Sequence, residues 1–131
     1  MRSSRLRHRE VGSAVVEFAL VLPMLLLVAL ALVQVGLLAR DELLLVQAAR
    51  AGARAAAVDP DDAVVRDAAV RSAPGLDPAR VAVEVRRSGE RGQPVTVAVV
   101  YEAPVQIPVV GWLFPPQIEL RGEATMRQEF P

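Results

Sequence analysis

Apolar residues run unbroken from Phe18 to Val33 and, after the single polar residue Gln34, again from Val35 to Ala39. Those 22 residues rise about 33 Å as a helix, enough for a hydrocarbon core of about 30 Å. The competing reading is the core helix of a soluble domain, but one polar side chain in the whole stretch is too few for a helix with a wet face. The pattern therefore predicts a membrane span. Pro23 lies inside it. A proline there removes the amide that would bond to the carbonyl of Ala19, so a kink or local melt is expected over 18–23, although membrane helices tolerate proline.

Beyond the span, "RDELLLVQAARAGARAAAV" (Arg40 to Val58) is rich in good helix formers, with Gly52 as its one weak point. Leu43, Val46, Ala49 and Ala53 make a narrow apolar stripe along it. An unbroken helix from Ala14 to Ala57 would reach about 66 Å, which suits a span continued by an exposed stalk. "DPDD" at 59–62 then restarts a helix: Asp59 serves as N-cap, Pro60 as the first helical residue, and Asp61 and Asp62 favour the positive end of the dipole. A metal site is the sharper reading of these acids, but no calcium-loop spacing follows them. The second helix is expected to run to about Ser72, before the turn segment "APGLDP".

The pattern then changes period from helical to alternating. "RVAVEVR" sets Val81, Val83 and Val85 on one face, and "PVTVAVVY" does the same with Val95, Val97, Val99 and Tyr101. "SGERGQ" (88–93) is the turn between them. "QIELRGEATMR" sets Ile118, Leu120, Gly122, Ala124 and Met126 opposite its charged positions. About three antiparallel strands with one apolar face need a cover, and the two helical segments are the ones available. The expected fold is α+β, a long membrane helix and stalk bearing a short helix and a small antiparallel sheet. Between the second and third strands, "APVQIPVVGWLFPP" (103–116) contains four prolines and the chain's only tryptophan. Trp112, Leu113 and Phe114 there are a candidate contact surface for a protein or for lipid headgroups, unless they fold back over the sheet as core.

Charge and composition narrow the function. The formal net charge is zero, but Arg2, Arg5, Arg7 and Arg9 against Glu10 give residues 1–12 a net +3. The positive excess is confined to the N-terminus, so nucleic acid is not an expected partner. Arginines ahead of a span mark the cytoplasmic side and place the remainder outside. There is no cysteine and a single histidine, His8, among the arginines. Thiol catalysis, disulfides, histidine acid–base chemistry and zinc binding fall away, no glycine-rich phosphate loop is present, and none of the serines has a nearby base. No catalytic residue, cofactor, metal or small-molecule substrate is expected.

One acid remains awkward. Glu17 stands at the edge of the span, four residues after Ser13, in "REVGSAVVEFALVLPMLLL". A secretory signal would be cut after its apolar segment; the small pair Gly12-Ser13 lies before it, so a cut there would leave the helix on the mature chain. "GSAVVEFALVLPMLLL" resembles the prepilin-peptidase site of type IV pilin-like proteins, specifically the TadE-like pseudopilins of tight-adherence (Tad) pili. "LVQAARAGARAAAV" (Leu45 to Val58) is similar to that family's Ala-Ala-Arg-Glu-Gly-Ala-Arg segment, with Ala51 in place of the glutamate. The family often reads Glu-Phe-Gly late in the span, where this chain has Gln34-Val35-Gly36.

The resemblance covers about residues 9–58 and implies a structural part for the chain. Cleavage would follow Gly12, Ser13 would become the new N-terminus and a candidate for N-methylation, and Glu17 with Phe18 would serve peptidase recognition and assembly. The implied division is a basic leader (1–12), a transmembrane and stalk helix (13–58) and an extracytoplasmic α+β head (59–131). The implied partners are the prepilin peptidase, other pilins, pseudopilins and Tad assembly proteins, and membrane lipid. The implied place is the cytoplasmic membrane, single-pass, with the N-terminus inside and the head outside. The alternative is an unprocessed signal-anchored envelope protein whose head binds a protein partner.

Overall fold

The structure, a computed structural model, describes residues 4–130, with side chains from Gly12 onward. Most of the basic leader therefore lies outside the described side chains. A single helix, α1 (Ser4–Val58), is followed by α2 (Asp62–Arg71), strands β1 (Val81–Arg87) and β2 (Pro94–Ala103), and β3 (Ile118–Arg127). Short 3-10 turns, Pro78–Arg80 and Pro108–Leu113, precede β1 and β3. The α+β class, the short second helix and the three-stranded antiparallel sheet all match the sequence pattern. The helix is continuous through Pro23, without the local melt that proline could have produced.

The sheet has the order β1-β2-β3, antiparallel throughout. Its register lines up Val83, Val99 and Gly122 in one row, with Val81, Tyr101 and Leu120 on one side and Val85, Val97 and Ala124 on the other. These rows form the inner face, as the alternation required. The opposite face carries charge: Arg121 reaches Glu123 at 3.4 Å and Glu84 at 3.8 Å, and Thr96 pairs with Thr125 at 2.8 Å. The hairpin between β1 and β2 turns on Gly89 and Gly92, with φ of +124° and +87°, conformations that an L side chain resists. Gln128 closes it, donating from Nε2 to the Gly89 carbonyl while its own carbonyl accepts from the Gly92 amide.

The second half of α1 is not an exposed stalk. Leu45, Ala48, Ala49, Ala53, Ala56 and Ala57 are buried in one core with Val65 and Ala69 of α2 and Val95, Val97, Val99 and Tyr101 of β2. The stripe read from the sequence is rotated from the one that packs: Ala49 and Ala53 are buried, but Leu43 is 67% exposed. The reason is steric. A Cβ at Gly122 would stand 2.5 Å from the carbonyl carbon of Leu45, so β3 lies against the helix backbone itself. Only a seam of alanine and glycine permits an approach that close.

The helix restart also shifts. Asp61, not Asp59, caps α2, accepting from the Ala63 amide at 2.8 Å, while the Asp59 carboxylate accepts from the Asp61 amide at 2.8 Å. Three acids in four positions offer two caps, and α1 uses the first position, since the Asp59 amide still bonds back to Ala55. Arg87 ties β1 to this turn, donating to the Asp62 carboxylate and, at 3.2 Å, to the Asp59 carbonyl. The Glu129 amide donates to the Ala57 carbonyl at 2.8 Å and satisfies an end group of α1.

Candidate processing site and apolar loop

Gly12, Ser13, Glu17 and Phe18 lie in the first half of α1, where side chains from Gly12 to Leu26 are exposed without exception. Val15, Val16, Phe18, Leu20, Met24 and Leu25 each leave more than half their surface free. Such a surface is unfavourable in water and natural in lipid. Among the described residues α1 is the one helix long and apolar enough to cross a membrane, a single-pass anchor by length and composition.

The helix places Ser13 and Glu17 one turn apart on the same face, and Ser13 Oγ donates to Glu17 Oε1 at 3.2 Å. The junction that the sequence singled out and the acid that it could not otherwise explain are therefore neighbours in space. A Cβ added at Gly12 would meet nothing within 4 Å, so among the described residues no tertiary packing at Gly12 holds the Gly12-Ser13 bond in its helical form. Glycine itself opposes helix by about 1 kcal/mol relative to alanine, which makes local unwinding at this peptide bond a small cost.

A second feature had no signal local enough to find. Gln34, the one polar residue of the apolar run, is fully buried. Its Oε1 accepts from the backbone amides of Gln106 and Ile107, both at 3.1 Å. The loop between β2 and β3 thus comes down beside the apolar part of α1. Val110 is its buried anchor, while Trp112 is 74% and Leu113 48% exposed and Phe114 is half-buried. Trp112 and Leu113 do not fold back into the sheet core.

Asp41, two residues after the span, is 3% exposed. Burial raises its carboxyl above the usual carboxylate range, against the opposing pull of Arg40. Nothing in its surroundings assigns it chemistry.

Neither a curated protein nor a solved structure matches the chain. A family model does. It begins at Gly12 and ends within the packed half of α1, leaving the head beyond α1 unmatched. Residues 12–54 match the family described as TadE-like protein, so over this helix the chain is similar to that family.

Proposed function

We propose that the chain is a minor pseudopilin, a structural or assembly component of a Tad-type pilus and not an enzyme. In this reading a prepilin peptidase cuts after Gly12, Ser13 becomes the mature N-terminus, and Phe18 with Glu17 forms part of what the enzyme recognises. The observation that carries the reading is the constellation at the bare end of α1. A glycine without packing partners precedes Ser13, Glu17 lies one turn on, and the TadE-like match starts at the same glycine.

Cleavage changes the electrostatics of Glu17. A carboxylate at membrane depth costs about 2.5–3.5 kcal/mol on insertion scales. Cutting creates an α-amine with an ordinary pKa near 8 and a free helix N-terminus, whose unpaired amides favour a nearby carboxylate by about 0.3–1 kcal/mol. The rest of the relief comes from the amine of a neighbouring subunit, so Glu17 is unfavourable alone and satisfied on assembly. Pairing of that kind sets register between subunits. The anchor then sits in the cytoplasmic membrane with the leader inside and the head outside, and other pilins are the partners of α1. The kink expected at Pro23 would let the first turns of α1 settle against a neighbour.

The mass of the protein recovered from cells tests the cut. The expected N-terminus is Ser13, with or without one added methyl group. Retention of residues 1–12 overturns the reading in favour of an unprocessed envelope anchor. Glu17→Ala is expected to insert in the membrane normally and to lose most of its incorporation into pili. Full complementation by this variant would remove the pairing argument.

A further inference from the structure

The loop joining β2 to β3 is unlike the rest of the head. Residues 103–118 contain no charged side chain, while Glu102 and Glu119, each one residue inside the strand end that borders the loop, are both exposed. Gln34 fixes the loop's height. Its hydrogen bonds to Gln106 and Ile107 hold that backbone five residues inside the end of the apolar run, about 7.5 Å along the helix axis from Ala39. On the same side α1 loses exposure at Leu27, Leu30, Ala31, Leu37 and Leu38, a stripe of helical spacing, and the turn Pro108–Leu113 is in contact with α1. Buried Val110 faces inward and Val109, Trp112 and Leu113 are left outside, at 60%, 74% and 48% exposure.

Irregular backbone is costly near lipid unless its polar groups are satisfied. This loop meets much of that demand, although the buried Nε2 of Gln34 has no partner among the described residues. Pro104, Pro108, Pro115 and Pro116 have no amide proton. The amides of Gln106 and Ile107 go to Gln34, those of Val110 and Phe114 to carbonyls within the loop, and the 3-10 turn bonds its own. A tryptophan with adjacent aliphatic side chains, uncharged and short of free donors, suits the boundary between headgroups and acyl chains.

We propose that residues 105–114 are a membrane-seated wedge: Val109, Trp112 and Leu113 enter the headgroup–acyl boundary beside α1 and fix the depth and tilt of the head. The inference rests on the membrane reading of α1. One bilayer receives both elements, and the loop is continuous with the surface that the span already presents to it.

Trp112 is the only tryptophan of the chain, so its emission reports the loop alone. The full chain is reconstituted at low protein density in phosphatidylethanolamine–phosphatidylglycerol vesicles, with or without bromine on the upper acyl carbons, and floated on a density gradient. The expected result is flotation, blue-shifted emission shielded from aqueous acrylamide, and loss of most of that emission with brominated lipid. A V109D/L113D double variant, altered at exposed positions only, is expected to float and to keep its head's unfolding transition while losing the quenching. Flotation with water-exposed, unquenched Trp112 overturns the wedge and leaves the membrane reading standing. Failure to float overturns both. Blue-shifted emission that bromine does not quench and that reverts on dilution within the bilayer overturns the wedge in favour of a second copy of the chain.

Discussion

The two halves of α1 are both apolar and both helical, yet they meet opposite surroundings. Between Gly12 and Leu26 the side chains are large, Phe18, Leu20, Met24 and Leu25 among them, and all stand free. Between Asp41 and Ala57 the buried positions are Leu45 and then alanines, with Gly52 inside the same seam. Size, more than hydropathy, separates them. Lipid chains are as apolar as leucine, so a large side chain facing them gains nothing by finding a protein partner. The head must instead build a close-packed interior from a small sheet, and small residues let whole backbones approach. Membrane helix and core helix are thus distinguishable within one unbroken element by what their side chains permit.

Gly122 offers the most severe way to break that comparison. Gly122→Ala puts a methyl group against the backbone of Leu45, 2.5 Å from its carbonyl carbon. A helix backbone cannot yield as a flexible side chain can, so the expected loss is about 3 kcal/mol, at the upper end for overpacking. Urea unfolding in detergent, followed by amide exchange in β2, measures it. Gly36→Ala is the control, because nothing lies within 4 Å of a Cβ there. It should stabilise the helix slightly, by up to about 1 kcal/mol.

The same contrast explains what the sequence could and could not convey. The strands were legible because alternation is local: Val81, Val83 and Val85 declare a face whatever lies opposite. Gly122 was visible as an inward position, but its helix partner is 77 residues away and no periodicity names it. The stalk stripe was misplaced because alanine is nearly silent in a hydropathy pattern, so Leu43 outweighed the alanines that pack. Gln34 read as an interruption of the span, since its hydrogen-bond partners, Gln106 and Ile107, come from a loop 72 and 73 residues on. The processing constellation, by contrast, lies within seven consecutive residues. It can be proposed from the sequence because no tertiary contact is needed to assemble it.

Asp41 sharpens the boundary between the halves. It is the first buried charge after the span, and burial holds its folded pKa above the ordinary 3.8 despite Arg40. A raised acid pKa means that the folded state binds the proton more tightly than the unfolded chain. Its contribution is therefore fully present below 3.8 and is lost as pH rises through the raised value. Asp41→Asn should accordingly unfold at a higher temperature than the parent at pH 7, with the gain shrinking as pH falls toward 3.8. Thermal scans across that range check the sign. A variant less stable than the parent at pH 7 would mean that the carboxylate is held by contacts worth more than its burial costs.

The smallest expected effect lies in the bare half. Leu25 is 56% exposed in the middle of the apolar run. In a packed core, truncating a leucine to alanine costs about 2–5 kcal/mol through lost transfer energy and a cavity. Leu25→Ala removes the same atoms but opens no cavity, because no protein surface covers them. Head unfolding should change by less than about 0.5 kcal/mol, and insertion should weaken only by the few tenths of a kcal/mol that one leucine contributes to a span. The informative measurement is unfolding in detergent beside Leu45→Ala, a fully buried position on the same helix. If the two losses were comparable, the first half of α1 would have to be covered by protein, and residue size could no longer distinguish the two halves.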